Sequence, residues 1–234
     1  MKIITVLTTY NRPQLFARLI KALILEIEAS EHKHEMLIAD DGSALNYAEQ
    51  AAEELAGQEI RTCFIGFAKN GGKKHYWHVM DEVYKVAQGK EWDVMVQLPD
   101  DVLPVPGMYN TAVEMLHSLK LPNVLINLYR CHREHEWGSA NAFDINDKLR
   151  LTGWMDMCYA CKRGAISALD YSVVPVNRDW HRSPELGSGV GAQLSRRLRQ
   201  HNVSQYQVLK SLVVDTGDQA SQMNPTRTFK FKTK

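Results

Sequence analysis

No stretch of this sequence is apolar over the roughly 20 residues that a membrane-spanning helix needs. The opening MKIITVLTTYNRP has too short an apolar run, and too early a proline, for a secretory leader. A cytoplasmic protein without a transmembrane segment is therefore expected. Cysteine is scarce, with four in the chain (Cys63, Cys131, Cys158 and Cys161). The CxxC in DMCYACKRG has no second pair to complete a zinc site, so packed, reduced thiols are expected there. Internal repeats, low-complexity linkers and a sharp domain boundary are also missing, and 234 residues suit one large α/β domain spanning 1–234.

Net charge is nearly absent, with 28 Lys and Arg against 27 Asp and Glu, but its distribution is uneven. Residues 1–195 carry 20 basic against 25 acidic side chains, and residues 196–234 carry 8 against 2. SRRLRQH and TRTFKFKTK therefore suit contact with an anionic polymer, nucleic acid or a lipid surface, or equally a solvated helix face and a frayed end.

What the chain does contain is an alternation of strand and helix patterns. KIITVLTTY is a short β-rich run, and NRPQLFARLIKALILEI follows with Leu15, Phe16, Leu19, Ile20, Leu23 and Ile27 at helical spacing. Asn11 is a plausible cap, and Pro13 sits where a first helical turn tolerates it. A strand at Met36–Ala39 leads through Asp40, Asp41, Gly42 and Ser43 into a second helix. EIRTCFIGF is a third strand, and NGGKKHYWHVMDEVYKVAQG a Gly-started helix. WDVMVQL is a fourth strand that runs into PDDVLPVPG. Beyond it NVLINLYR reads as a strand, 131–143 as a polar connection, and 148–169 as a strand or hairpin leading into a helix. An amphipathic helix with Leu194 and Leu198 follows, and then a closing strand and loop.

This alternation implies a mostly parallel central sheet with helices on both faces, and ligands bind such sheets outside the carboxyl ends of the strands. TTYNR, DDGS, NGGKK and PDDV all fall there. The third of these loops offers glycine-freed backbone N–H groups at Gly71 and Gly72, a helix N-terminus and Lys73 or Lys74, all suited to phosphate. Asp100 and Asp101 offer carboxylates for a hard divalent ion. A nucleoside diphosphate with its metal would use every loop. A nucleotidyltransferase remains an alternative, although TTYNRP is not the Gly-rich, Lys-bearing loop it would be expected to show.

Five pieces in order, TVLTTYNRP, LIADDGS, NGGKKHYW, VQLPDDVLPVPG and LVVDTGDQASQMNP, resemble the GT-A fold glycosyltransferases, and within them the large family 2 of nucleotide-sugar enzymes. The resemblance implies a Rossmann-like GT-A domain, with residues 1–110 as the nucleotide-binding half and 111–234 as the acceptor-binding half with its basic tail. It also implies Thr8, Thr9, Tyr10 and Arg12 in the nucleotide pocket, and Asp41 accepting a hydrogen bond from the base, commonly uracil. Asp100 would lie nearer the ribose or donor sugar, and Asp101 would be a ligand of Mn²⁺ or Mg²⁺.

Departures from the family pattern bear on the chemistry. Pro99 stands where a full DxD motif has its first acid. The acid that would deprotonate the acceptor in an inverting enzyme lacks its usual ED pair, which leaves Glu185, Asp179 and His181 as candidate bases. The closing loop lacks its metal-site histidine, with Asp215 or Asp218 as possible oxygen ligands. Trp154, Trp180 and Trp137 are candidates for stacking on a sugar or base, Trp180 foremost because it lies between Asp179 and His181. His132 and His135 read as parts of a solvated loop. The expected reaction is transfer of a sugar from a nucleoside-diphosphate sugar, a UDP-sugar in the first instance, to a saccharide hydroxyl. Alternatives are a phage-type DNA glycosyltransferase acting on hydroxymethylated bases, and a catalytically silent nucleotide-binding protein.

Overall fold

The computed structural model describes residues 1–72, 75–130, 143–153, 155, 157–174 and 190–216. Strand β1 (Lys2–Thr9) is buried at every position after the first, as expected of a strand covered on both faces. Its side chains alternate: Ile3 and Leu7 join one apolar layer, Ile4 and Val6 the other. Two threonines in the same strand put hydroxyls into this otherwise apolar environment, and each has a phenol as partner. Thr5 meets Tyr109 at 2.7 Å on one face, and Thr8 meets Tyr76 at 2.8 Å on the other.

Helix α1 (Pro13–Glu28) buries Leu15, Phe16, Leu19, Ile20 and Leu23 along one stripe, at the spacing the sequence implies. β2 (Lys33–Asp40), α2 (Tyr47–Glu54), β3 (Arg61–Gly66), α3 (Tyr76–Gln88) and β4 (Val94–Pro99) follow. β2 and β4 flank β1 in parallel, with Thr9 opposite Asp40 and Thr8 opposite Pro99, so the three strands finish at one level. Beyond β4 come β5 (Val102–Pro104), α4 (Met108–Ser118), β6 (Val124–Asn127), β7 (Phe143–Asp144), β8 (Leu149–Thr152), β9 (Tyr159–Lys162), α5 (Arg163–Ser167), α6 (Val190–Gln200), β10 (Ser204–Val208) and β11 (Val213–Asp215). Among the described residues the main sheet has nine strands in the order β3-β2-β1-β4-β9-β6-β10-β8-β7, with β5 and β11 as a separate antiparallel pair. Helices α1, α2 and α4 supply the apolar layer on one face, and α3, α5 and α6 the layer on the other.

Two local expectations change. β8 and β9 do not form a hairpin: β9 inserts antiparallel between β4 and β6, while β8 pairs with β10 and β7. Burial explains the split, because Tyr159, Ala160 and Cys161 are apolar on both sides and suit the sheet's centre, whereas Arg150 and Thr152 suit a position near its edge. Asn11 does not cap α1. It adopts a left-handed backbone (φ 49°), its N–H donates to Ser43 Oγ at 2.9 Å, and its side-chain oxygen accepts from Ala44 N at 3.0 Å. It ties the first loop to the second. The CxxC thiols are buried in the core, Cys158 in one apolar layer and Cys161 in the other.

Gly42 fixes how closely the DDGS loop approaches its neighbour. Its φ is +74°, and a β-carbon there would lie 2.2 Å from the carbonyl carbon of Lys69 and 2.4 Å from the backbone nitrogen of Asn70. Both obstacles are backbone, so Gly42→Ala is expected to cost about 1–3 kcal/mol of unfolding free energy and to displace the 69–72 segment. Chemical denaturation of the variant checks this. His34 supplies a second test. Both of its ring nitrogens are buried with no hydrogen-bond partner among the described residues, and its ring packs edge-on to Tyr109. Burial, with help from His32 and the N-terminus, pushes its pKa down from 6.5 to about 4. The unfolded chain therefore takes up this proton at a higher pH than the folded chain, and stability falls as the pH drops from 6.5 towards 4. His34→Phe removes that loss, so urea melts are expected to show its advantage over wild type widening across this window and constant above pH 7.

Candidate active site

Asp100 is the group around which the strand ends are organised. Its backbone N–H donates to Thr8 O at 3.1 Å, continuing the β1–β4 ladder by one residue. Its carboxylate then turns back under the first loop, where Oδ2 accepts from Thr9 Oγ1 at 2.9 Å and from the Tyr10 N–H at 3.4 Å. Arg12 Nη1 bridges the acidic pair, 2.9 Å from Asp100 Oδ1 and 3.0 Å from Asp101 Oδ2. The Arg12 N–H in turn donates to the Tyr47 hydroxyl at 2.5 Å, which anchors the arginine at the mouth of α1.

The electrostatics follow from burial. Loss of water pushes the Asp100 pKa up to about 6, Arg12 opposes the rise, and neighbouring Asp101 adds to it. For Arg12, burial works against the charge, but the two aspartates outweigh it and raise the guanidinium pKa above its ordinary value. The acids differ in access: the Asp100 side chain is 6% exposed and that of Asp101 36%. Asp100 is thus a buried structural acceptor, and Asp101, partly exposed, lies at the rim.

The second loop is built on Asp40 and Asp41. Asp40 closes an Asx-type turn by accepting the Ser43 N–H at 3.2 Å, and the Ser43 hydroxyl donates to it as well. Asp41 is 4% exposed, and burial raises its pKa while His75 and Asn70 pull it down. Its Oδ1 lies 2.7 Å from His75 Nδ1, and its Oδ2 accepts from Asn70 Nδ2 at 2.8 Å. A carboxylate can only accept, so Nδ1 of His75 carries a proton. Asn70 Oδ1 accepts from the Gly72 N–H at 2.7 Å, so Asp41 holds the glycine segment through one intermediary. Gly72, with φ +74°, is a position where a side chain would be strained.

The closing strand completes the edge. β11 pairs antiparallel with β5, setting Asp215 opposite Val102, and Thr216 clasps the Asp101 carbonyl with both its N–H and its hydroxyl at 2.9 Å. Among the described residues no three His, Cys, Asp or Glu side chains converge as a ready metal cage. A divalent ion that takes most of its oxygens from a diphosphate and water needs only one or two carboxylates. The rim-facing Asp101, with Asp215 one strand away, fits that requirement.

Of the residues singled out in the sequence, Thr8, Thr9, Tyr10, Arg12, Asp41, Asp100 and Asp101 meet at this edge, with Gly71 and Gly72 joined through Asn70 and Asp215 through β5. Lys73, Trp137, Trp154, Asp179, Trp180, His181, Glu185 and Asp218 lie outside the described residues, as do His132 and His135. The α3 helix begins at Tyr76 rather than at the glycines. Asn70, His75, Tyr76 and Thr216 escaped the sequence reading. Asn70 and His75 flank the GGKK stretch, whose glycines and lysines carry the more evident phosphate-binding signal.

No protein-family model matches the sequence, nor does any curated protein. Solved structures do match in fold. The 1-349 portion of S. aureus TarS superposes with a TM-score of 0.60 at 13% identity, over 93% of this chain and 61% of that one. The longer S. aureus TarS structure gives 0.60 and 14%, over 92% of this chain and 37% of that one. The mannosyltransferase PcManGT from Pyrobaculum calidifontis, in complex with GDP-Man and Mn²⁺, gives 0.53 and 15%, over 87% of this chain and 53% of that one. The chain therefore spans less than two thirds of the length of these structures. With its parallel-rich sheet and helices on both faces, it has the fold of the GT-A glycosyltransferases.

Proposed function

We propose that this chain is a glycosyltransferase that moves a sugar from a nucleoside-diphosphate sugar, with a UDP-sugar as the first candidate, to an acceptor hydroxyl, using Mn²⁺ or Mg²⁺. The observation that carries this reading is the placement of the Asp100–Asp101 pair. It lies at the end of β4, against the first loop of the sheet, with Asp41 of the second loop bonded by its N–H to Thr9 O at the end of the neighbouring β1. A diphosphate and its ion need such a shared edge, and the neighbour bound to GDP-Man and Mn²⁺ has the same fold.

In this reading the side chains divide the work. Asp41, held by His75 and Asn70, offers its remaining acceptor capacity to the base. Tyr10 and the Thr8–Thr9 segment border the nucleoside, and Asp100 holds the first loop in register while facing the donor. Asp101 and Asp215 would hold the divalent ion, which when bound neutralises charge on the departing diphosphate. Arg12 adds positive charge beside the same phosphates, and Gly71, Gly72 and Lys73 would be further candidates for contact with them. Glu185, Asp179 or His181 would accept the proton of the acceptor hydroxyl, and Trp154 and Trp180 would present flat apolar faces to a sugar ring.

A saccharide is the first candidate acceptor, with a hydroxymethylated DNA base as the alternative. In the basic region, Arg197 donates to Ser172 O at 2.5 Å and Leu169 O at 3.1 Å, which holds its side chain against the protein.

Calorimetric titration of UDP, GDP and ADP, each with and without Mn²⁺, tests the core of the proposal. At least one diphosphate is expected to bind, and Mn²⁺ to tighten it about tenfold or more, equivalent to roughly 1.4 kcal/mol of coupling. Asp101→Asn is expected to fold and to lose that gain; the proposal fails if no diphosphate binds the wild type. For the base, Glu185→Gln is expected to lower turnover of the donor onto an acceptor by about 10²- to 10⁴-fold with donor affinity retained. Full activity in that variant would move the role to Asp179 or His181.

A further inference from the structure

The acidic pair already has a cation, and it is part of the chain. A single guanidinium nitrogen, Nη1 of Arg12, spans one oxygen of Asp100 and one of Asp101 at 2.9 and 3.0 Å. The Arg12 side chain is 11% exposed, so water screens the interaction little. Its position is set from below by the Arg12 N–H on Tyr47 and by the start of α1, so the guanidinium is delivered to the pair by the fold rather than by chance rotation of a surface side chain. Asp101, the acid that reaches the rim, spends one of its oxygens on this contact.

We propose that Arg12 is a built-in counter-ion that competes with the divalent cation for the Asp100–Asp101 pair, so that the nucleotide-free chain binds metal weakly and admits it only when a diphosphate draws the guanidinium away. The idea rests on the transferase reading above for the identity of the diphosphate, but its central claim concerns metal and protein alone. Two adjacent carboxylates repel unless a cation sits between them. An arginine and a divalent ion each remove that repulsion, and once one has done so the other gains much less by binding. A diphosphate gives the guanidinium an alternative, charge-assisted partner of matching geometry. Nucleotide and metal are thereby coupled through one side chain, and because binding coupling is reciprocal, metal favours nucleotide by the same factor.

The test needs no substrate. Mn²⁺ binding to the nucleotide-free protein is measured by the loss of the free-ion electron paramagnetic resonance signal, for wild type, Arg12→Gln and Arg12→Lys. Wild type is expected to bind Mn²⁺ weakly, Arg12→Gln about tenfold or more tightly than wild type, and Arg12→Lys, which keeps the positive charge, close to wild type. Thermal unfolding gives an independent readout. In chelator Arg12→Gln is expected to melt below wild type, because its two acids are uncompensated, and saturating Mn²⁺ is expected to recover most of that loss while moving wild type little. A purely structural role for Arg12 would produce the loss without the recovery.

Tight Mn²⁺ binding by the wild type alone would overturn the counter-ion role. So would an Arg12→Gln chain with unchanged Mn²⁺ affinity, or an Arg12→Lys chain that binds as tightly as Arg12→Gln. If Arg12→Gln fails to fold in chelator, circular dichroism on adding Mn²⁺ replaces the melt: folding supports the proposal, and persistent unfolding overturns it. Failure of the transferase reading would look different, as an absence of diphosphate binding in the wild type whatever Mn²⁺ does to the variants.

Discussion

The fold's working edge depends on burying the carboxylate of Asp100. Placing an acid out of water at the end of a central strand is costly unless donors and a cation meet it, and here the Thr9 hydroxyl, the Tyr10 N–H and the Arg12 guanidinium do so. Those three groups come from the last residue of β1 and the turn that leads into α1. The acid therefore sets the path of that turn, and the turn sets where the arginine lies. Asp101 is left at the rim, braced through its carbonyl by Thr216 of the closing segment. The Asp100–Asp101 step, through one side chain and one carbonyl, thus links the beginning, middle and end of the described chain.

A second arrangement of the same kind organises the adjoining loop. Asp41 is buried beside β1 and satisfied by Asn70 and His75, which lie on either side of the glycine segment. Gly42 permits the backbone of Lys69 and Asn70 to pass within reach of it. Both arrangements leave carboxylates that are oriented by the protein and only partly used by it. In the proposed transferase such orientation in advance of ligand would serve electrostatic catalysis, since the groups need not reorganise as charge develops. The Thr8–Tyr76 and Thr5–Tyr109 pairs serve a humbler end, satisfying two of the three threonine hydroxyls in a strand buried on both faces.

Much of the first half was legible because its signals are local. The apolar stripe of Leu15, Phe16, Leu19, Ile20 and Leu23 repeats at helical period, the β1 and β4 runs are mostly apolar, and each acidic or glycine-bearing loop follows a strand. The loops converge because parallel strands end together. Asn11 misled for a reason that is also local: a residue before a helical proline suits a cap, but its amide and side chain were claimed by Ser43 and Ala44, more than thirty residues away. His75 and Asn70 were passed over because their importance lies in a shared carboxylate partner, and nothing in NGGKKHYW announces that partner.

The amino-acid sequence by itself determined the period and polarity of each segment, and hence the alternation of strand and helix, the shared edge and the candidate acids on it. These follow from hydrophobic burial at spacings of two and about 3.6, which every residue carries with it. Only the tertiary structure decided that β9 enters the sheet antiparallel between β4 and β6, that β11 brings Asp215 beside the acidic pair, and that Arg12 bridges Asp100 and Asp101. Each of these is a pairing between residues far apart in the chain. Strand partners are chosen by which two-sided apolar surfaces remain to be covered, and ion-pair partners by which charges are desolvated together, and both become defined only when the chain closes on itself.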